Sequence, residues 1–161
     1  MSVKSRDEWY HPLWEQMMPG KVAYEPFPWQ EDMIHVPASD PLVNTRMIGA
    51  CGRRSGKTTA IVAEVVREAF TERRDASGIY RPAMVYVIAP NYELAMKIWE
   101  PIWELFVPDH GPLNMLKKSH DKNRKLVDLA HGGRIQAKTA DDPKSLQGDR
   151  VTAAFVDEAH D

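Results

Sequence analysis

Two short runs of residues have the types and order that nucleotide chemistry needs. The first is Cys51-Gly52-Arg53-Arg54-Ser55-Gly56-Lys57-Thr58. It follows the phosphate-loop pattern G-x-x-x-x-G-K-[ST], with Cys51 where Gly or Ala is usual. Such a loop wraps phosphates with backbone N–H groups, so small residues are needed where the backbone comes close. Gly52 and Gly56 supply two such points, and the small Cys51 keeps the loop intact. Lys57 can neutralise the β- and γ-phosphates, and the Thr58 hydroxyl can ligate Mg²⁺. Arg53, Arg54, Ser55 and Thr59 complete the set expected to face a nucleotide. The second run is Asp157-Glu158, at the end of the apolar stretch AAFV. A buried parallel strand delivers its last residues to the ligand edge of a sheet. There Asp157 would hold Mg²⁺ and Glu158 would orient and deprotonate an attacking water.

Both runs need a strand before them, and the loop needs a helix after it. Thr45 to Ala50 is apolar enough for a short buried strand. Lys57 to Arg74 reads as a helix with an apolar stripe at Ile61, Val62, Val65, Val66 and Phe70, whose positive N-terminal end would face the phosphates. Ala83 to Ala89 is a buried strand, and Tyr92 to Phe106 a second helix, interrupted by Pro101. Lys125 to Ala130 and Arg134 to Thr139, joined by His131-Gly132-Gly133, read as a β-hairpin. Asp141-Asp142-Pro143 is a turn, and Val151 to Val156 a final buried strand. Upstream, Trp9, Leu13, Trp14 and Met17 lie at helical spacing within residues 1–20, and Pro19-Gly20 closes that helix. A proline-rich stretch follows, with room for a helix from Gln30 to His35. The alternation of strands and helices indicates an α/β fold with parallel strands.

Composition narrows the function classes. The chain has 161 residues, 43% hydrophobic and 27% charged, enough for one globular domain. It contains no apolar run of membrane-spanning length and no signal-peptide pattern, so no membrane is expected. The single cysteine excludes an intramolecular disulfide and suits a reducing compartment. The six histidines are scattered without metal-ligand spacing. A formal net charge of −2 does not advertise nucleic-acid binding, so any DNA contact falls to local patches. Candidates are Arg73-Arg74, Lys117-Lys118 and Lys122/Arg124/Lys125; a solvated surface is the commoner role for each. Trp99 and Trp103, four apart on the second helix, suit core packing better than a base-stacking platform.

Four stretches resemble the ATPase domain of the large terminase subunit, the DNA-packaging motor of tailed phages. Arg53 fits the G-x-R-x-x-G-K-[ST] form frequent there. PFPWQEDMI resembles the family's Trp-Gln motif, which would place Gln30 at the adenine edge. VYVIAPNYELAMKIW resembles the stretch after the phosphate-loop helix. DDPKSLQGDRVTAAFVDEAHD resembles the S-L-x-G segment running into the acidic strand. The likeness covers residues 26–161; residues 1–25 read as an N-terminal helical extension. It implies a P-loop NTPase sheet of the ASCE type flanked by helices, here with a β-hairpin insertion. It also implies ATP and Mg²⁺ as cofactors and double-stranded DNA, a portal protein, a small terminase subunit and a homo-oligomeric ring as partners, in the cytoplasm of an infected cell. Lys57, Arg53 and Glu158 take the catalytic roles; Thr58 and Asp157 are the metal ligands. The family's arginine in the S-L-x-G segment is replaced by Gln147, with Arg150 three residues on as a possible substitute. In this family the strand between the loop strand and the acidic strand comes later in sequence, so the resemblance implies an incomplete sheet, truncated after the acidic pair, with the nuclease domain absent. Two other readings compete. Asp157-Glu158-Ala159-His160 fits a superfamily-two helicase, although Arg53 and Arg54 depart from that family's A-x-x-G-x-G-K loop. The third is a nucleotide-binding fragment without activity.

Overall fold

The computed structural model describes residues 5–17, 24–39, 54–74, 76–146 and 150–157. The strand expected over 45–50 lies outside them. The chain opens with a helical turn, α1 (Arg6–Trp9), and a 3₁₀ turn at Pro12–Gln16. The long helix expected within 1–20 is therefore two short pieces, separated at Tyr10–His11. Pro12 starts the second, and the His11 ring accepts the Leu13 N–H at its N-terminus. The expected apolar residues do go inward. Trp9, Trp14 and Met17 are buried in the same hydrophobic cluster as the main helices and the sheet, so they are part of the core.

A second helical run is continuous from residue 28 to 39. It comprises α2 (Pro28–Gln30), a π-helical turn at Glu31–His35 and α3 (Val36–Ser39). Pro28 sits at the first helical position, where a missing N–H costs nothing. Next comes α4 (Lys57–Phe70), buried on most of its circumference. It ends four residues before Arg74, the expected limit. Thr71 is extended, and its Oγ1 hydroxyl donates to the Arg67 carbonyl at 2.7 Å. Arg74 then bridges Tyr80. α5 (Tyr92–Phe106) starts on Asn91, whose side chain accepts the Leu94 N–H. It runs through Pro101 without the expected break. Asn114 Nδ2 donates to the carbonyls of Phe106, Val107 and Pro108 and closes its C-terminal end.

The strands are β1 (Met84–Ala89), β2 (Lys117–Asp121), β3 (Leu126–Leu129), β4 (Arg134–Thr139) and β5 (Ala153–Val156). They form one sheet in the order β2-β3-β4-β1-β5. The sheet is mixed. β4 and β5 flank β1 and run parallel to it, while β2, β3 and β4 pair antiparallel. Connection length explains the difference: β2, β3 and β4 follow one another through tight turns, whereas β1 reaches β4 by a crossover through α5. The hairpin expected near 125–139 is present as β3 and β4, yet it is no peripheral insertion, because β4 is the direct partner of β1. β1 is the central buried strand, with Val85, Tyr86, Val87 and Ala89 inside. β5 was expected to be buried and is half exposed; Val156 is 51% accessible. Among the described residues β5 has β1 as its one partner. Thr152 fastens its start: its hydroxyl and backbone N–H both engage the backbone of Met84 at 2.8–2.9 Å. Among the described residues no helix is long and apolar enough to cross a membrane.

Candidate nucleotide site

The direction of α4 decides which residues can share a site. Its C-terminal end is fixed at the start of β4: His131 Nε2–H donates to the Ala69 carbonyl at 2.9 Å, and the His131 ring packs on Phe70. The helix lies along β1, β4 and β5. Its 14 residues rise about 21 Å, matching a strand of six residues at about 20 Å. Asp157 emerges where β1 and β5 finish, its N–H donating to the Ile88 carbonyl at 3.0 Å to extend the parallel ladder by one residue.

The described part of the phosphate loop is strained in the way a close backbone turn requires. Arg54 has φ +60° and Gly56 has φ +83°, both in the left-handed region that favours glycine. Gly56 is the residue before the first turn of α4 and supplies no capping side chain. The first-turn amides of α4 thus have no side-chain acceptor from that position, which suits an anion there. Lys57 and Thr58 are half-buried, Thr59 is exposed. Thr58 and Thr59 also border a cavity of about 260 Å³ with Met17, Tyr24, Pro101 and Leu105. Cys51, Gly52, Arg53, Gln147, Glu158 and His160 lie outside the described residues; Arg150 is exposed.

Gln30 takes a different part from the one its resemblance implied. It is 1% accessible. Its Oε1 accepts the Phe27 N–H at 2.7 Å and faces the Tyr24 hydroxyl at 3.3 Å, and its Nε2 donates to the Gly56 carbonyl at 2.9 Å. An amide so engaged has no free edge for adenine; it braces the exit of the phosphate loop. A Cβ on Gly56 would meet Gln30 Nε2 at 2.9 Å, so the glycine is required by contact as well as by φ. Gly56→Ala is expected to destabilise the fold by about 1–2 kcal/mol and to weaken phosphate binding, read by urea unfolding and ATP titration. An unchanged unfolding midpoint would show that this contact is slack.

Tyr24, His35 and Glu64, which the sequence did not single out, lie behind Gln30. His35 Nδ1–H donates to Glu64 Oε1 at 2.6 Å, and His35 Nε2 is 2.8 Å from the Tyr24 hydroxyl. Arg67 Nε donates to Glu64 Oε2 at 2.7 Å. Burial alone would disfavour the charged guanidinium, but the Glu64 and Glu68 carboxylates outweigh it and hold the Arg67 pKa above its ordinary value. Burial, and then the Glu64 charge, push the Tyr24 phenol upward, so it stays a hydroxyl. Phe27, by contrast, is exposed, with its ring edge about 3.5 Å from where a Gly56 Cβ would stand.

The basic clusters are partly committed to the fold. Arg73 pairs with Glu68, and Arg74 with Glu72. Lys117 Nζ donates to the Val107 carbonyl, and Lys125 Nζ donates to the Lys122 carbonyl and lies over the Tyr92 ring. Lys118, Lys122 and Arg124 are exposed. Trp99 is buried, and Trp103 packs against it and His120, so this pair belongs to the packing of α5.

Among the described residues no three His, Cys, Asp or Glu side chains form a metal-holding group. A Mg²⁺ held by one Asp, one Thr hydroxyl and the phosphates of a nucleotide does not need such a group. Thr58 and Asp157 are the residue types of that donor set. No protein-family model, curated protein or solved structure matches this chain.

Proposed function

We propose that this chain binds Mg²⁺–ATP at the start of α4 and hydrolyses it to move double-stranded DNA into a viral procapsid, as the ATPase part of a large terminase subunit. The observation that supports the ATP reading best is the left-handed Gly56, braced by Gln30, at the head of a helix that opens with Lys57-Thr58. That helix start offers backbone amides and a cation to a phosphate. The phage-motor reading rests on Arg53, the Trp29-Gln30 stretch and the Ser145-Leu146-Gln147-Gly148 segment before the acidic strand.

In this reading the loop amides and Lys57 grip the β- and γ-phosphates. Thr58 and Asp157 would hold Mg²⁺, which would offset phosphate charge. Glu158 takes a proton from water as the water oxygen bonds to the γ-phosphorus; the bond to the β–γ bridging oxygen breaks, leaving ADP and inorganic phosphate. Arg53 meets charge on the γ-phosphate. Phe27, exposed beside Gly56, offers an aromatic face to the base. The proposed partners are double-stranded DNA, a portal, a small terminase subunit and further copies in a ring, within the infected cell.

The test is phosphate release with and without linear double-stranded DNA. Turnover is expected to require Mg²⁺ and to rise with DNA. Glu158→Gln is expected to lower it about a hundredfold while ATP still binds. Full turnover in Glu158→Gln would remove the assigned base, and failure of the wild-type chain to bind ATP would end the proposal.

A further inference from the structure

One buried set of side chains connects the N-terminal segment to the phosphate loop. From α4 outward, Arg67 Nε donates to Glu64, His35 Nδ1–H donates to Glu64, and His35 Nε2 meets the Tyr24 hydroxyl at 2.8 Å. With His35 Nε2–H donating to the Tyr24 oxygen, the Tyr24 O–H donates to Gln30 Oε1 at 3.3 Å, and Gln30 Nε2 donates to the Gly56 carbonyl at 2.9 Å. Glu64 and Gln30 are 1% accessible, His35 0% and Tyr24 2%. The His35 ring is clamped between Trp9, stacked at 5.8 Å and 8°, and Trp14 at 4.8 Å. A buried carboxylate and imidazole are costly to keep where apolar packing would serve as well. Here they end at the one carbonyl that also closes the first turn of α4, since Gly56 O accepts the Ala60 N–H at 3.1 Å as well.

We propose that His35 and Tyr24 are positioning residues for the phosphate loop: they orient the Gln30 amide and so set the Gly56 carbonyl that orders the Lys57 turn. The proposal rests on the ATP reading for its effect on nucleotide but not for its effect on the loop. Neither side chain touches the loop itself. Each acts through Gln30, whose Oε1 has the Phe27 N–H as its other partner.

The test uses three variants and two readouts on the full chain. Tyr24→Phe removes the hydroxyl and leaves the ring. His35→Asn places an amide where Nδ1 stands and drops the contact to Tyr24; His35→Gln places one where Nε2 stands and restores it. Amide exchange of Ala60, which reports the Gly56 carbonyl, is measured without nucleotide, with the amides of residues 66–70 as the internal control. Mg²⁺–ATP affinity is measured beside it. Tyr24→Phe and His35→Asn are expected to speed Ala60 exchange and weaken ATP about five- to tenfold, with residues 66–70 unchanged, and His35→Gln to return both to within about twofold of wild type. A purely structural role would slow or speed exchange along the whole helix and would not separate Gln from Asn. Wild-type Ala60 exchange in Tyr24→Phe and His35→Asn overturns the relay. Ala60 exchange that responds in a wild-type chain that binds no ATP supports the relay and sinks the ATP reading.

Discussion

Lys57→Ala is expected to leave a folded protein that no longer holds ATP. Lys57 is half-buried at the first position of α4, and its removal opens no core cavity, so the unfolding free energy should stay within about 1 kcal/mol of wild type. A lysine against a phosphate forms a charge-assisted bond worth up to about 3 kcal/mol, which is a loss of about a hundredfold in affinity. Turnover falls further, about a thousandfold, because the same cation faces charge that grows as the γ-phosphate departs. Lys57→Arg is no rescue: the wider planar guanidinium must fit a turn whose backbone is pinned by Gly56 and Gln30. Equilibrium titration with a fluorescent ATP analogue and a phosphate-release assay read both quantities. Unaltered affinity in Lys57→Ala would separate the α4 start from nucleotide binding altogether.

Trp14→Ala carries the largest expected cost to folding. The side chain is wholly buried, its Nε1–H donates to the Ala63 carbonyl at 2.7 Å, and its ring meets Trp9, Tyr24 and His35 at 4.8–5.8 Å. Truncating a buried tryptophan costs about 3–5 kcal/mol, a large part of the 5–15 kcal/mol typical of a domain. Urea unfolding should show a markedly lower midpoint at unchanged slope, and ATP affinity should fall as well, since Trp14 holds one side of the His35 ring. A loss under about 1 kcal/mol would mean that the N-terminal turns dock only loosely on α4.

Elements with strong apolar rhythm were legible in the sequence. The stripe on α4, the continuous apolar β1 and the span of α5 from Tyr92 to Phe106 all lie within a few residues of their expected places. β2 was not legible: Lys-Lys-Ser-His-Asp has no apolar alternation, because an edge strand mostly facing solvent needs none. The last turn expected of α4 failed because Thr71 competes for a backbone carbonyl, an effect that helical periodicity does not register. Pro101 was expected to interrupt α5, and the helix runs straight through it. At the site, Gly56, Lys57 and Asp157 were readable as a motif; the structure places Gly56 and Lys57 at the start of α4 and Asp157 just after β5. The brace behind them was invisible. A histidine and a glutamate 29 residues apart give no pattern in sequence, and only tertiary packing makes them partners. Gln30 was marked for the right neighbourhood through a resemblance, but its burial turned its amide toward the backbone.

The clasp of Thr152 on Met84 joins residues 68 apart in sequence, whereas β3 and β4 meet across one short turn. Entropy of loop closure makes the near pairing quick and the far pairing slow. The antiparallel half of the sheet can therefore zip first and offer β4 as a template for β1, leaving β5 and its aspartate to dock last. As an edge strand with β1 as its one partner among the described residues, β5 has a single ladder to break when it leaves the sheet.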